Sequence, residues 1–235
     1  MDRRGLGVTL AVLVIVGTAC NQVSGSGNVV TRQIDAGPFS ELEVSHGFTV
    51  NLTVGGPEKV TVRVDDNLVD LLDVAVSGDT LRVGLESGTD ASDATLEADI
   101  TVTSLTTLGS SGASTISLVD PLGGTLAVTL SGASQVTGPI QIEGGTLEMS
   151  GASQANLTGT ATTLDATLSG ASRLTGTGLS IGDLMIDLSG ASNAEVTVTG
   201  SLSATASGAS TLRYAGSPTV ARSEGSDAST IEPIG

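Results

Sequence analysis

Hydrophobic residues recur at every second position in short runs along most of this chain. Leu42 and Val44 are followed by Phe48, Val50, Leu52 and Val54, then by Val60, Val62 and Val64, and later by Leu81, Val83 and Leu85. A period of two turns one side of an extended chain toward an apolar core and the other toward water, so each run predicts a half-buried β-strand. Gly55-Gly56-Pro57 and Ser77-Gly78-Asp79 interrupt the runs as turns. The stretch from Asn67 to Leu72 does not alternate and fits one helical turn or a bend.

The second half repeats itself. Ser-Gly-Ala-Ser begins at Ser111, Ser131, Ser150, Ser169, Ser189 and Ser207, and a variant, Ser-Asp-Ala-Ser, begins at Ser226; the spacings are 20, 19, 19, 20, 18 and 19 residues. A near-constant period of this length, with strand patterns between the copies, predicts a β-solenoid in which each repeat is one coil. The chirality of parallel crossovers makes it a right-handed, single-stranded parallel β-helix with coils of about 19 residues. Leucine-rich repeats have a similar period, but their Asn or Cys ladder is missing here.

Stacking coils about 4.8 Å apart turns equivalent residues into columns. Leu130, Met149, Leu168 and Leu188 precede the motif, and Val136, Leu174, Leu212 and Ile231 follow its first serine by five residues. Both sets are expected in the bore, with the motif alanine as a small inward column. The motif glycine is expected at a bend that a Cβ would penalise. The residue after each motif is polar in every copy: Thr115, Gln135, Gln154, Arg173, Asn193, Thr211 and Thr230. A buried column could not hold Arg173 beside Gln154 without a large desolvation cost, so this row should face solvent. Thr115, Gln135, Gln154, Arg173, Asn193 and Thr211 are the candidate ligand-facing ladder.

Composition narrows the core and the partners. Two phenylalanines, one tyrosine and no tryptophan leave small and branched aliphatics to fill the interior. The net charge is −16, and removing residues 1–19, which carry Asp2, Arg3 and Arg4 for a net +1, leaves −17. Such a surface repels phosphate backbones and anionic headgroups, which disfavours nucleic acid and electrostatic membrane adsorption.

The N-terminus reads as an export signal. Arg3 and Arg4 precede an uncharged run from Gly5 to Val16, too short to span a bilayer, and Gly17-Thr18-Ala19-Cys20 closes it. Cys20 is the only cysteine, so no intramolecular disulfide forms. Small residues before it resemble the lipobox of bacterial lipoproteins, although Gly17 stands where leucine is usual. That resemblance implies cleavage before Cys20 and acylation of it, with palmitate-type chains anchoring the protein to the cell or outer membrane, facing periplasm or exterior. The expected division is a signal peptide over 1–19, a lipidated cysteine and flexible tether over 20–33, a strand-rich first part of the β-helix over 34–105, and the regular repeats over 106–235.

A wider resemblance rests on Gly27-Asn28-Val29-Val30, on the run from Phe39 to Val50, on Val60-Thr61-Val62, on Asp66-Asn67-Leu68 and on the Ser-Gly-Ala-Ser repeats. Over about residues 25–215 the chain resembles the autotransporter adhesin head, or GIN domain, family. The resemblance implies a surface or periplasmic lipoprotein with a parallel β-helix and no established activity.

The charged residues do not suggest an enzyme. Glu148, Asp165 and Asp187 fall two, four and two residues before a motif and form no obvious pair on one ladder. His46, the only histidine, reads as an exposed strand-edge residue, which leaves no Ser-His-Asp or zinc chemistry. Asp90, Asp93, Glu97 and Asp99 lack an EF-hand pattern and read as a solvated acidic turn, so no metal or cofactor is expected. The sequence thus predicts a non-catalytic envelope module presenting a polar wall to a glycan or another envelope component. The alternatives are a structural spacer without a specific ligand and a carbohydrate-active β-helix enzyme.

Overall fold

The alternating runs become strands that stack into an all-β parallel solenoid, seen here in a computed structural model that describes residues 21–234. The signal-peptide segment and Cys20 lie outside the described residues. The first part contains β1 (Asn21–Ser24), β2 (Val29–Ile34), β3 (Glu41–Val44), β4 (Thr49–Val54) and β5 (Lys59–Asp65). After a 3-10 helix at Asp66–Leu71 come β6 (Leu72–Ser77), β7 (Thr80–Leu85), β8 (Thr89–Ser92) and β9 (Leu96–Val102). The coils continue through β10 (Thr107–Ser110), β11 (Thr115–Leu118), β12 (Leu122–Leu130), β13 (Gln135–Met149), β14 (Gln154–Leu168) and β15 (Arg173–Leu188). They end with β16 (Asn193–Val198), β17 (Ser201–Ala206), β18 (Thr211–Gly216), β19 (Thr219–Gly225) and β20 (Thr230–Pro233).

Each motif forms a corner between two sheet faces. Its glycine lies in the left-handed region, with φ between 60° and 72° from Gly112 to Gly208. Geometry demands glycine twice over. A Cβ on Gly170 would come within 2.5 Å of the Gly151 carbonyl oxygen in the coil before, and that oxygen accepts the Ala171 amide at 2.7 Å.

The motif alanines do not point inward as the sequence suggested. The alanines from Ala113 to Ala209 are exposed, and the closing serines Ser114, Ser134, Ser153, Ser172, Ser192 and Ser210 are buried instead. The left-handed residue swings the chain around the outside of the bend, which carries both middle residues into solvent and makes the serine the next inward position. A buried hydroxyl needs a partner, and the corner supplies one: Ser172 Oγ donates to the Ser169 carbonyl at 2.7 Å, and Ser192, Ser210 and Ser229 repeat the bond.

The inward aliphatic columns are as expected. Leu130, Met149, Leu168 and Leu188 are buried, as are Val136, Leu174 and Leu212, while Ile231 is half-buried in the last coil. Size alternates along a column, Ala155 and Ala194 lying between or beside larger Val136, Leu174 and Leu212. Each fully buried Leu or Val stabilises the stack by about 1.5–3 kcal/mol relative to exposure. One position breaks the pattern: Ser110 stands between Val44 and Leu130 in an inward column. Its Oγ is the buried side-chain polar atom that lacks a partner among the described residues.

The first part departs from simple coiling. The coil of β3 and β4 is stacked between β7 and β9 on one side and β10 and β11 on the other. The chain therefore builds the end of the stack before crossing back past its first coil. Antiparallel pairs close that end, β6 on β7 and β5 between β9 and β2. Val60, Val62, Val64 and Leu68 seal the bore beneath them.

The expected flexible tether over residues 20–33 is replaced by ordered structure from Asn21 onward. β1 pairs in parallel with β8 and β2 pairs with β5. Between them, Asp65, buried to 1% exposure, accepts the Gly27 and Thr95 amides, each at 2.6 Å. Small polar composition suggested freedom, but strand pairing and this carboxylate supply bonds that the local sequence does not reveal. At the opposite end β19 and β20 form the last layer, and every residue of β19 is exposed. Pro218, Pro233 and the Arg222–Glu224 pair, 2.7 Å apart, blunt that edge against further strand addition.

Candidate functional site

Register brings the six ladder residues into one row. Thr115 lies beside Gln135, Gln135 beside Gln154, Gln154 beside Arg173, Arg173 beside Asn193, and Asn193 beside Thr211. Gln154 and Arg173 are exposed and the other four half-buried, so the row faces outward. Thr49 and Glu97 extend it toward the capped end and Thr230 toward the other. Two residues further along each coil a second outward row runs through Asn51, Ser117, Thr137, Asn156 and Thr175.

Engagement is confined to the ends of the second row, where Asn51 donates to Asp99 at 2.9 Å, and Arg213 pairs with Glu195 at 2.6 Å and Glu232 at 3.5 Å. Ser117, Thr137, Asn156 and Thr175 in its middle, like Gln135 to Asn193 in the first row, make no side-chain hydrogen bond among the described residues. No hydrogen bond or ion pair among the described residues engages the side chains of Gln135, Gln154, Arg173 or Asn193. The first row is therefore a strip of amide, hydroxyl and guanidinium groups at the spacing of stacked strands, about 4.8 Å.

The acidic residues distribute differently from the sequence expectation. Glu148 and Asp187 do share one ladder, with Thr167 between them, and Asp165 lies on the adjacent row of the same face. Two coil spacings, about 9.6 Å, separate Glu148 from Asp187, and Asp187 accepts a hydrogen bond from Thr205. Of the cluster read as a solvated turn, Glu97 and Asp99 instead flank Arg63 at 2.8 and 2.5 Å. Arg63, followed by Asn51, holds the Asp99 carboxyl below the usual range, and the two carboxylates raise Arg63 in return.

His46 is not a strand-edge residue. The pairs Val44 with Ser110 and Thr49 with Thr115 place it at the corner position of Gly112, with φ 61°. Its ring is half-buried beside a cavity of about 520 Å³ whose wall includes Glu43, Asp73, Arg82 and Gly109. Nδ1 accepts the Leu85 amide at 3.3 Å and lies 2.8 Å from Ser45 Oγ. The sequence reading missed this cavity because Ser45-His46-Gly47-Phe48 shares only its first serine with the motif. The available signal was Gly47 followed by the alternating run from Phe48.

The chain is similar in fold to several solved structures. A putative adhesin from Bacteroides fragilis matches with a TM-score of 0.83 at 19% identity, over 90% of this chain and 100% of that one. A putative adhesin from Parabacteroides merdae matches at 0.68 and 19% identity, over 92% and 100%. A putative lipid binding protein from Parabacteroides distasonis matches at 0.70 and 17% identity, over 92% and 100%. No curated protein matches the sequence. The family model described as "Putative auto-transporter adhesin, head GIN domain" matches residues 38–218. With that match spanning most of its length, this chain belongs to the GIN-domain family of auto-transporter adhesin heads.

Proposed function

We propose that this chain is an envelope lipoprotein, anchored through acylated Cys20, whose solenoid binds an extended glycan along the row from Thr115 to Thr211. The family supports an exported, non-catalytic adhesin-like module; the ligand class and the anchor are our reading. The observation that carries it is the in-register strip of polar side chains that no other group among the described residues engages. A regular strip of donors and acceptors suits the repeating hydroxyls of a saccharide chain. A structural role would instead have neighbouring amides bonded to one another along the axis.

Replacing Gln135, Gln154, Arg173 and Asn193 together by alanine tests the row. Lost binding on a glycan array and to whole cells, with unchanged melting, is the expected result. Lowered melting with retained binding assigns the row to structure and the protein to the role of spacer. Cys20→Ser should abolish fatty-acid labelling and release the protein from the membrane, and unchanged labelling would overturn the anchor.

A further inference from the structure

The cavity beside His46 is built by missing side chains. One outward row runs Arg82, Glu43, Gly109, Thr129, Glu148, so Gly109 leaves a gap between two long or branched neighbours. Below it Gly84 leaves room for the Ser45 hydroxyl, with which a Cβ at that position would overlap. The six corners from Gly112 to Gly208 carry glycine where His46 stands and the last carries Asp227, so the imidazole is held in a backbone conformation that favours glycine. Strain of this kind gathers at functional sites.

The groups around the cavity define its chemistry. Acceptance of the Leu85 amide at Nδ1 leaves the ring proton on Nε2, which makes His46 a donor. Arg82 adds a guanidinium whose nearest pair, Glu43, is 3.4 Å away with both side chains over half exposed. Glu43 and Asp73 are acceptors, and Ser111 and Thr129 contribute hydroxyls. Two carboxylates against one guanidinium disfavour an anion, while the guanidinium and the imidazole N–H disfavour a cation. Mixed donors and acceptors in a space of this size match the hydroxyl pairs of a neutral sugar ring.

We propose that this notch is a second, separate binding site, specific for one neutral sugar unit. It lies across the Ser-Gly-Ala corner from the Thr115 row and does not depend on what that row binds.

His46 is the only histidine, so its ring signals in heteronuclear NMR report on the notch directly. The probe is a panel of methyl glycosides of neutral hexoses and N-acetylhexosamines, with glucuronate and glucosamine as charged counterparts. A neutral glycoside should shift the His46 ring signals saturably. Gly109→Thr fills the gap, and its Cβ meets nothing closer than Glu43 Cγ at 3.5 Å, so it should weaken binding at least tenfold without changing the melt. Asp73→Asn, at an exposed position, should weaken it as well. The four-alanine variant of the row should leave the notch response intact. The proposal is overturned if no neutral glycoside gives a saturable shift, if only a charged sugar does, or if the shift survives in both Gly109→Thr and Asp73→Asn.

Discussion

His46 and Gly112 occupy the same corner position in adjacent coils, with φ of 61° and 60°. Each is followed by a second left-handed residue, Gly47 at 79° and Ala113 at 67°, whereas the later motif corners need only one. Ala113 is exposed, so its Cβ contributes strain without buried contacts. Ala113→Gly should therefore stabilise the protein by about 1 kcal/mol, raising Tm by about 2–4 °C. A fall in Tm would show that the corner tolerates alanine without strain.

The opposite substitution at the motif glycine should be severe. At Gly170, φ is 72° and a Cβ would lie 2.5 Å from the Gly151 oxygen and 3.0 Å from its nitrogen. Backbone cannot move aside here without shifting the coil, so Gly170→Ala should cost about 3 kcal/mol. Urea denaturation measures it, and a cost under about 1 kcal/mol would contradict the close stacking of corners.

Two buried serines should respond in opposite directions. Ser172 donates to the Ser169 carbonyl at 2.7 Å, and Ser172→Ala should destabilise by about 1 kcal/mol. The Ser110 hydroxyl is buried without a partner among the described residues, so Ser110→Ala should be neutral or stabilising, by up to about 1 kcal/mol. Equal losses in thermal melts would mean that Ser110 is satisfied in solution.

Asp99 supplies a pH signature. Its folded pKa is lowered, chiefly by the Arg63 hydrogen bond and then by Asn51. A carboxyl whose folded pKa is depressed adds stability that is complete above the unfolded value, about 3.9, and disappears as pH falls through the lower folded value. The advantage of the parent over Asp99→Asn should therefore be constant at neutral pH and vanish in acid below that window. Because Arg63 and Asp99 are 33% and 46% exposed, solvent screening limits it to about 1 kcal/mol. An advantage that grows toward low pH in denaturant titrations would refute the assignment.

Deleting Ser150 to Leu168 removes one 19-residue period and joins Met149, the register partner of Leu168, to Ser169, whose amide already donates to the Met149 carbonyl at 2.8 Å. The shortened chain should fold with the same circular dichroism and a modestly lower Tm, since coils contact mainly their neighbours. Removing Ser150 to Thr158 instead brings outward residues into the bore and should abolish the melt. Equal tolerance of both deletions would disprove coil-by-coil stacking.

The sequence by itself determined the coil length, the aliphatic columns around Leu130 and Val136 and the outward row at Thr115. A constant period puts equivalent residues in equivalent surroundings, and alternation says which of them face water. It did not determine that Ser114 and its counterparts, rather than the alanines, turn inward, because a left-handed corner resets the alternation on either side of it. Nor could it show that residues 21–34 are docked, since their partners at Asp65, β5 and β8 lie some 30 to 70 residues away. The His46 notch belongs wholly to the tertiary structure. The capping layer interposed between β4 and β10 breaks the repeat spacing, and only stacking brings Glu43, Asp73, Arg82 and Gly109 around one space.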